Sequence, residues 1–368
     1  METQTSDFIK WIEKYFKGIV IKTVETLNGK NNEEALTYMF KAMLRKEFSV
    51  TGKWETVSAL NTRVSADIVA MDSSLPLKRR DSIGKASGDI VKSGMELWLN
   101  ETQLTQLNAM VAQRVNETDI IAKLFQDTPR VITGIYELME KLFLEGLSTG
   151  MVLVDDDKNT GTGIRIDYGY LDANKFGVSI LWNNTAAKPL DDLRGALKKA
   201  KKDGNVVSNV YMDEATFDNF VATQQVKEYF AFSIGFVGNA SIVPIPTLDK
   251  INAALKADNR YKFAIQIVDR TIINEKDGVR TTVTPWSDGK VILTTSPQVG
   301  VLAWARLAEQ DSPVQGVSYQ TAEDYILVSK FRQNRPSLAE FTTSQARVVP
   351  VICNVEQIYQ IDANLVIA

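Results

Sequence analysis

Residues 128–150 leave the chain little freedom of conformation. Pro129 has the fixed backbone angle and missing N–H that suit the first position of a helix, and Thr128 before it is a suitable N-cap. Ile132, Ile135, Tyr136, Met139, Phe143 and Leu147 then recur at intervals of three and four, one unbroken apolar stripe, and Gly150 supplies a C-terminal stop. The spacing predicts a helix over 129–148, a rod of about 30 Å. Such a stripe must be covered. Met151–Val154 and Gly163–Tyr168, which follow at once, read as strands.

The N-terminal region predicts an amphipathic helix over 6–27, with Phe8, Ile9, Ile12, Phe16, Ile19 and Val20 on one face and Ser6 or Asp7 as cap. A second helix is expected after Asn31-Asn32, carrying Leu36, Met39, Phe40 and Met43. This pair either packs on its own body or forms an arm that packs on neighbouring subunits. Strand-like runs at 54–58 and 64–70 lead to a polar, basic tip, Ser73-Ser74-Leu75-Pro76-Leu77-Lys78-Arg79-Arg80-Asp81-Ser82-Ile83-Gly84-Lys85, and Met95–Leu99 returns as a strand. A segment so poor in large apolar residues cannot bury itself, so it is flexible alone or ordered by a partner.

Residues 101–125 predict a helix with Leu104, Leu107, Met110 and Val111 on one face. Further helices are expected at 189–202, 213–222 and 248–256, and strands at 206–212, 263–268, 291–293, 325–329, 346–353 and 357–361. Asp277-Gly278 marks a hairpin over 271–281. Helices and strands are intermixed throughout, so the class is α+β.

The sequence is rich in elements and poor in chemistry. The 368 residues contain no histidine, which excludes histidine general bases, Ser-His-Asp triads, Cys-His dyads and histidine metal sites. The one cysteine, Cys353, sits in an apolar run as a small hydrophobe, and no intrachain disulfide is possible. Asp155–Gly161 resembles half of a calcium loop, but its glycine is one place late and the closing glutamate is missing, so it reads as a hairpin tip. Gly161-Thr162-Gly163 is a fragment of a phosphate loop without the rest of the motif. Lys198–Lys202 suits the end of a helix, where cations are favoured. No catalytic residue, metal ligand or cofactor site is assigned. No run approaches the roughly 20 apolar residues that cross a bilayer. The formal net charge of -3 lacks the basic excess of a protein that grips DNA as its main task.

The order of parts resembles the major capsid protein E family of tailed phages, the lambda-like branch of the Hong Kong 97-type capsid fold. Four passages carry the resemblance over residues 50–368: Ser73–Ser82 with its glycine-bearing return; the helix 129–148 running into strands; the strand-then-helix step Asn209-Val210-Tyr211-Met212-Asp213-Glu214-Ala215-Thr216-Phe217; and the closing pattern from Thr284–Val291 to Ala346–Val351. The resemblance implies an N-terminal helical arm at 1–50, an extended loop and its base strands at 51–100, a peripheral domain at 101–185 with 129–148 as spine helix, an axial domain at 186–321, and return strands of the peripheral domain at 322–368. It implies a major capsid protein that assembles with itself into hexamers and pentamers, as an icosahedral shell around double-stranded DNA. Leu75, Leu77, Lys78, Arg79, Arg80, Ile83 and Lys85 would touch an adjacent subunit. Ile132, Ile135, Tyr136, Met139, Phe143 and Leu147 would pack the spine helix. Portal and scaffold proteins, and a decoration protein, are the other expected partners, with assembly in the bacterial cytoplasm and residence in the virion. An encapsulin-like compartment shell and a carboxylate-dependent enzyme are the alternatives.

Overall fold

The fold was analysed in a computed structural model, which describes residues 4–29, 38–58, 84–154, 164–236, 238, 245–276, 278–334 and 337–367. Helices α1 (Ile9–Leu27) and α2 (Met39–Met43) lead into strand β1 (Leu44–Phe48). Strands β2 (Lys53–Ser58), β3 (Gly84–Asp89) and β4 (Lys92–Leu99) precede helices α3 (Glu101–Ala112), α4 (Glu117–Leu124) and α5 (Thr128–Thr149). Next come β5 (Met151–Val154), β6 (Ile164–Asp167), β7 (Lys175–Val178), α6 (Pro189–Lys202), β8 (Asn209–Met212), α7 (Glu214–Ala222), α8 (Gln224–Ser233) and α9 (Leu248–Ala257). The chain ends with β9 (Ala264–Ile267), β10 (Ile272–Lys276), β11 (Val279–Val283), β12 (Lys290–Thr294), β13 (Gly300–Ala305), α10 (Ala308–Asp311), β14 (Ser318–Ala322), β15 (Ile326–Gln333), β16 (Ala339–Ile352) and β17 (Ile358–Val366).

Helix α5 lies on a six-stranded sheet whose centre is the 14-residue strand β16. β16 pairs with β15 along 339–346, with β4 along 340–347 and with β13 along 347–352, all antiparallel. β1 extends the sheet by a parallel pairing with β13, and β14 by an antiparallel pairing with β15. All six residues of the predicted stripe are at most 2% exposed, and so are Val131, Leu142 and Leu144 beside them. The buried face is wider than the stripe because the helix is covered twice. The sheet takes one side, while α1 and α2 lie against another. Glu140, 1% exposed, accepts the backbone N–H groups of Met39 and Phe40 at 2.9 and 3.0 Å and so supplies the missing acceptors at the start of α2.

A second core lies around the sheet β7-β17-β12-β8-β9 and helices α6 to α9, with Trp182, Phe220, Phe263 and Tyr359 buried in it. Asp213 caps α7, accepting from the backbone N–H of Thr216 at 2.9 Å.

Several local expectations are corrected. Asp127, not Thr128, precedes α5; Thr128 is the first helical residue and Gly150 ends the helix at φ +83°. The helix expected over 101–125 breaks between Ala112 and Glu117, where Arg114 adopts φ +53°. Ser6 and Asp7 do not cap α1; they bond to the sheet. The second N-terminal helix is five residues long and gives way to a strand, because residues 44–48 pair with β13. The partition of the sheets also departs from the boundary at 321. β13 and β14 belong with β16, whereas β17 belongs to the second sheet, not with the strands returning to the first. A 3-10 turn at Val355–Gln357, entered through Asn354 at φ +53°, redirects the chain from one sheet to the other.

Phe143 is fully buried between α5 and its cover. Phe143→Ala is expected to lower unfolding stability by about 3–5 kcal/mol. Chemical denaturation monitored by circular dichroism checks this, and a loss under about 1 kcal/mol would contradict the packing described.

Candidate interaction surfaces

The β2–β3 ribbon is hydrogen-bonded to neither large sheet, though β2 lies beside β16. Its strands pair antiparallel from Lys53 opposite Asp89 to Ser58 opposite Gly84, and they form a sheet of their own. Its base is fixed by Trp54, 5% exposed, whose ring lies 6.4 Å from that of Tyr168. Gly88 faces Trp54 so closely that a Cβ there would come within 2.9 Å of the indole nitrogen. Gly52 turns the chain into the ribbon at φ +70°, and Ile90 donates its N–H to Gly52 O at 2.9 Å. Of the predicted contact residues, Leu75, Leu77, Lys78, Arg79, Arg80 and Ile83 lie outside the described residues. Lys85 is in β3, opposite Val57. The spine residues are brought together inside the chain's own core.

An aromatic strip crosses the sheet on the face turned away from α5. The hydroxyl of Ser344 donates to Val131 O at 2.6 Å, so even-numbered β16 residues face the helix and Phe341 points the other way. Trp98, Phe341 and Phe331 stand in register across β4, β16 and β15, with ring centroids 6.2 and 5.3 Å apart. Trp98 is 57% exposed, with Glu96 two residues away on the same strand face. Burial raises the Glu96 carboxyl above the usual range. A second exposed apolar group, Phe232, Ile234, Phe236 and Ile245, lies at the ends of α8 and before α9. Sequence reading missed both. Trp98 was legible only as part of a return strand, and the alignment of its neighbours depends on register.

A polar knot ties the N-terminal helices to the sheet. Glu323, at φ +56°, accepts from Lys41 Nζ at 2.7 Å, Lys46 Nζ at 2.6 Å, Asn28 Nδ2 at 2.7 Å and the Tyr136 hydroxyl at 3.0 Å. Burial alone would raise this carboxyl, but the bonds from Lys41, Lys46 and Asn28 win and hold it down at about 2. Lysine 199, in the predicted cationic run, pairs with Asp203 at 2.6 Å at the end of α6. Cys353 is half-buried, and burial pushes its thiol up to about 11. The Asp155–Gly161 run lies outside the described residues. Among the described residues no group of carboxylates and cysteine is placed to hold a metal ion, and no helix is long and apolar enough to cross a membrane.

A sequence profile described as phage major capsid protein E matches residues 94–348, from β4 to β16. The chain belongs to the phage major capsid protein E family. The family's role is to build the capsid shell, so this is a structural protein of the virion. Its fold is the Hong Kong 97-type capsid fold. The chain is similar to a candidate capsid protein of a prophage in E. coli CFT073, with 11% identity, 94% of this chain and 98% of that one covered, and a TM-score of 0.57. It is also similar to a phage-related protein from Bordetella bronchiseptica RB50, with 13% identity, 99% of each chain covered and a TM-score of 0.53. No curated protein matches it in sequence. The family match begins at Gly94, so α1, α2 and the β2–β3 ribbon lie ahead of the part that establishes membership.

Glu323→Gln is expected to cost about 1–2 kcal/mol at pH 7, a figure reduced for solvent around the part-exposed Lys46. A depressed folded-state carboxyl stabilises above its unfolded value and loses that contribution as pH falls through about 2. The wild-type advantage over the variant should therefore be full at pH 6 and shrink below pH 4.5. Denaturation midpoints across pH check this, and a difference that does not depend on pH would contradict it.

Proposed function

We propose that this capsid protein assembles with itself into hexamers and pentamers of an icosahedral head that encloses double-stranded DNA. The observation that carries the reading is the β2–β3 ribbon, a two-stranded sheet of its own with Trp54 buried near its start. An isolated ribbon of two strands is marginal in water, so a partner surface would stabilise it. Residues 59–83 continue it with Leu75, Leu77 and Ile83 among Lys78, Arg79, Arg80 and, on β3, Lys85. In this reading that segment lies over an adjacent copy. Apolar residues would meet the aromatic strip at Trp98, and basic residues the acidic groups beside it, of which Glu96 is the nearest on the strand. Heterologous contacts of this kind close when the rotation between copies closes, and many weak contacts cooperate once neighbours are in place. The net charge of -3 suits a wall along which packed DNA slides. Portal, scaffold and decoration proteins complete the expected set of partners, with assembly in the host cytoplasm.

Replacing Lys78, Arg79 and Arg80 together by Glu should leave the unfolding midpoint within about 0.5 kcal/mol, because the changes avoid both cores. The same variant should lose most of its assembled material in sedimentation. Wild-type particle yield from a folded variant would exclude the proposed loop contact.

A further inference from the structure

The segment ahead of α1 is fastened to the sheet by three kinds of bond. Gln4 forms an antiparallel bridge with Arg332, through N–H to carbonyl bonds of 2.9 and 3.2 Å. Asp7 makes an ion pair with the Arg332 guanidinium. The Ser6 hydroxyl donates to Glu340 Oε2 at 2.9 Å and accepts from the Phe8 N–H at 3.1 Å. Arg332 on β15 and Glu340 on β16 are direct partners in the strand register. Glu340 is 1% exposed, and its second oxygen, Oε1, has no hydrogen-bond partner; neither does the buried Nε of Arg332. A buried donor without an acceptor thus lies across one strand pair from a buried acceptor without a donor. Folded proteins seldom tolerate such orphans, because nothing offsets their desolvation.

We propose that Glu340, Arg332 and Asp7 form a proton-operated latch on the N-terminal segment. With Glu340 protonated, Arg332 is left to Asp7 and the segment stays docked. When Glu340 gives its proton to solvent, the carboxylate competes for the guanidinium directly across the strands. Asp7 then loses its partner and the segment is released. No covalent bond changes.

Other charges face this place as well, and Lys330 acts on Glu340 most strongly. Lys330 on β15 is held elsewhere, by Leu124 O at 3.0 Å and Thr342 Oγ1 at 2.7 Å. Asp127, ahead of α5, has Arg130 at 3.9 Å. β4 presents the apolar Leu99 opposite Glu340. Burial pushes the Glu340 carboxyl up to about 7, against Lys330, Ser6 and Arg332, which lower it. Burial lowers Lys330, and the nearby Glu340 and Asp127 carboxylates work against that shift. A docked carboxyl titrating near 7, against an ordinary value of 4.5, favours docking fully below about 4.5 and loses that contribution as pH rises through about 7.

The test is amide hydrogen exchange of residues 4–12 in the full-length subunit at pH 5.5 and 7.5, corrected for intrinsic exchange. Exchange of the wild type should be about ten-fold faster at pH 7.5. Glu340→Gln, which stays neutral, should be protected equally at both values. Asp7→Asn, whose change lies on the surface and spares the core, should be loosened already at pH 5.5. Protection of the wild type that does not change with pH overturns the proposal. So does a Glu340→Gln protein that still loosens at pH 7.5, or an Asp7→Asn protein that keeps full wild-type protection at pH 5.5.

Discussion

The burial of α5 is the constraint on which the rest of the structure depends. A helix apolar over more than one stripe cannot be satisfied by a single sheet, and here it is covered by β16 and its neighbours on one side and by α1 and α2 on another. That double cover dictates unusual polar arrangements. Glu140 is taken out of water to serve the first N–H groups of α2, and burial pushes its carboxyl up despite those two donors. Glu323 goes the other way, because two lysines reach it. Each is a fastening between the N-terminal helices and the sheet, and each would be a liability if its partners were removed.

With both cores closed inside one chain, the features left over point outward. Trp98 on the far face of the sheet and the apolar group at the end of α8 are exposed. Contiguous exposed apolar surface of this kind marks places where other molecules sit. A ribbon on one copy and a receiving surface on the next would make a head-to-tail contact, the geometry from which rings are closed.

The elements most legible in the sequence were those whose local signals agreed. The helix 128–149 announced itself through Pro129, a stripe and Gly150. β13 was invisible as a member of the first sheet, since its pairing with β16 spans tens of residues and leaves no local trace. The crossing of β17 into the second sheet was hidden for the same reason; it turns on Asn354 in a left-handed conformation, which a sequence does not display. The interaction surfaces were half legible. The basic, apolar-poor tip at 73–85 stood out by composition. The strip of Trp98, Phe341 and Phe331 exists only through register, with Trp98 far from the other two in the chain.

The central claim is that these outward features join copies of the chain into a closed shell. Cryo-electron microscopy of particles formed by the full-length protein tests it most directly. The account predicts closed shells of hexamers and pentamers in which each β2–β3 ribbon crosses to the sheet of a neighbouring copy. Monomers under every assembly condition, or shells in which each ribbon folds back on its own body, would contradict it.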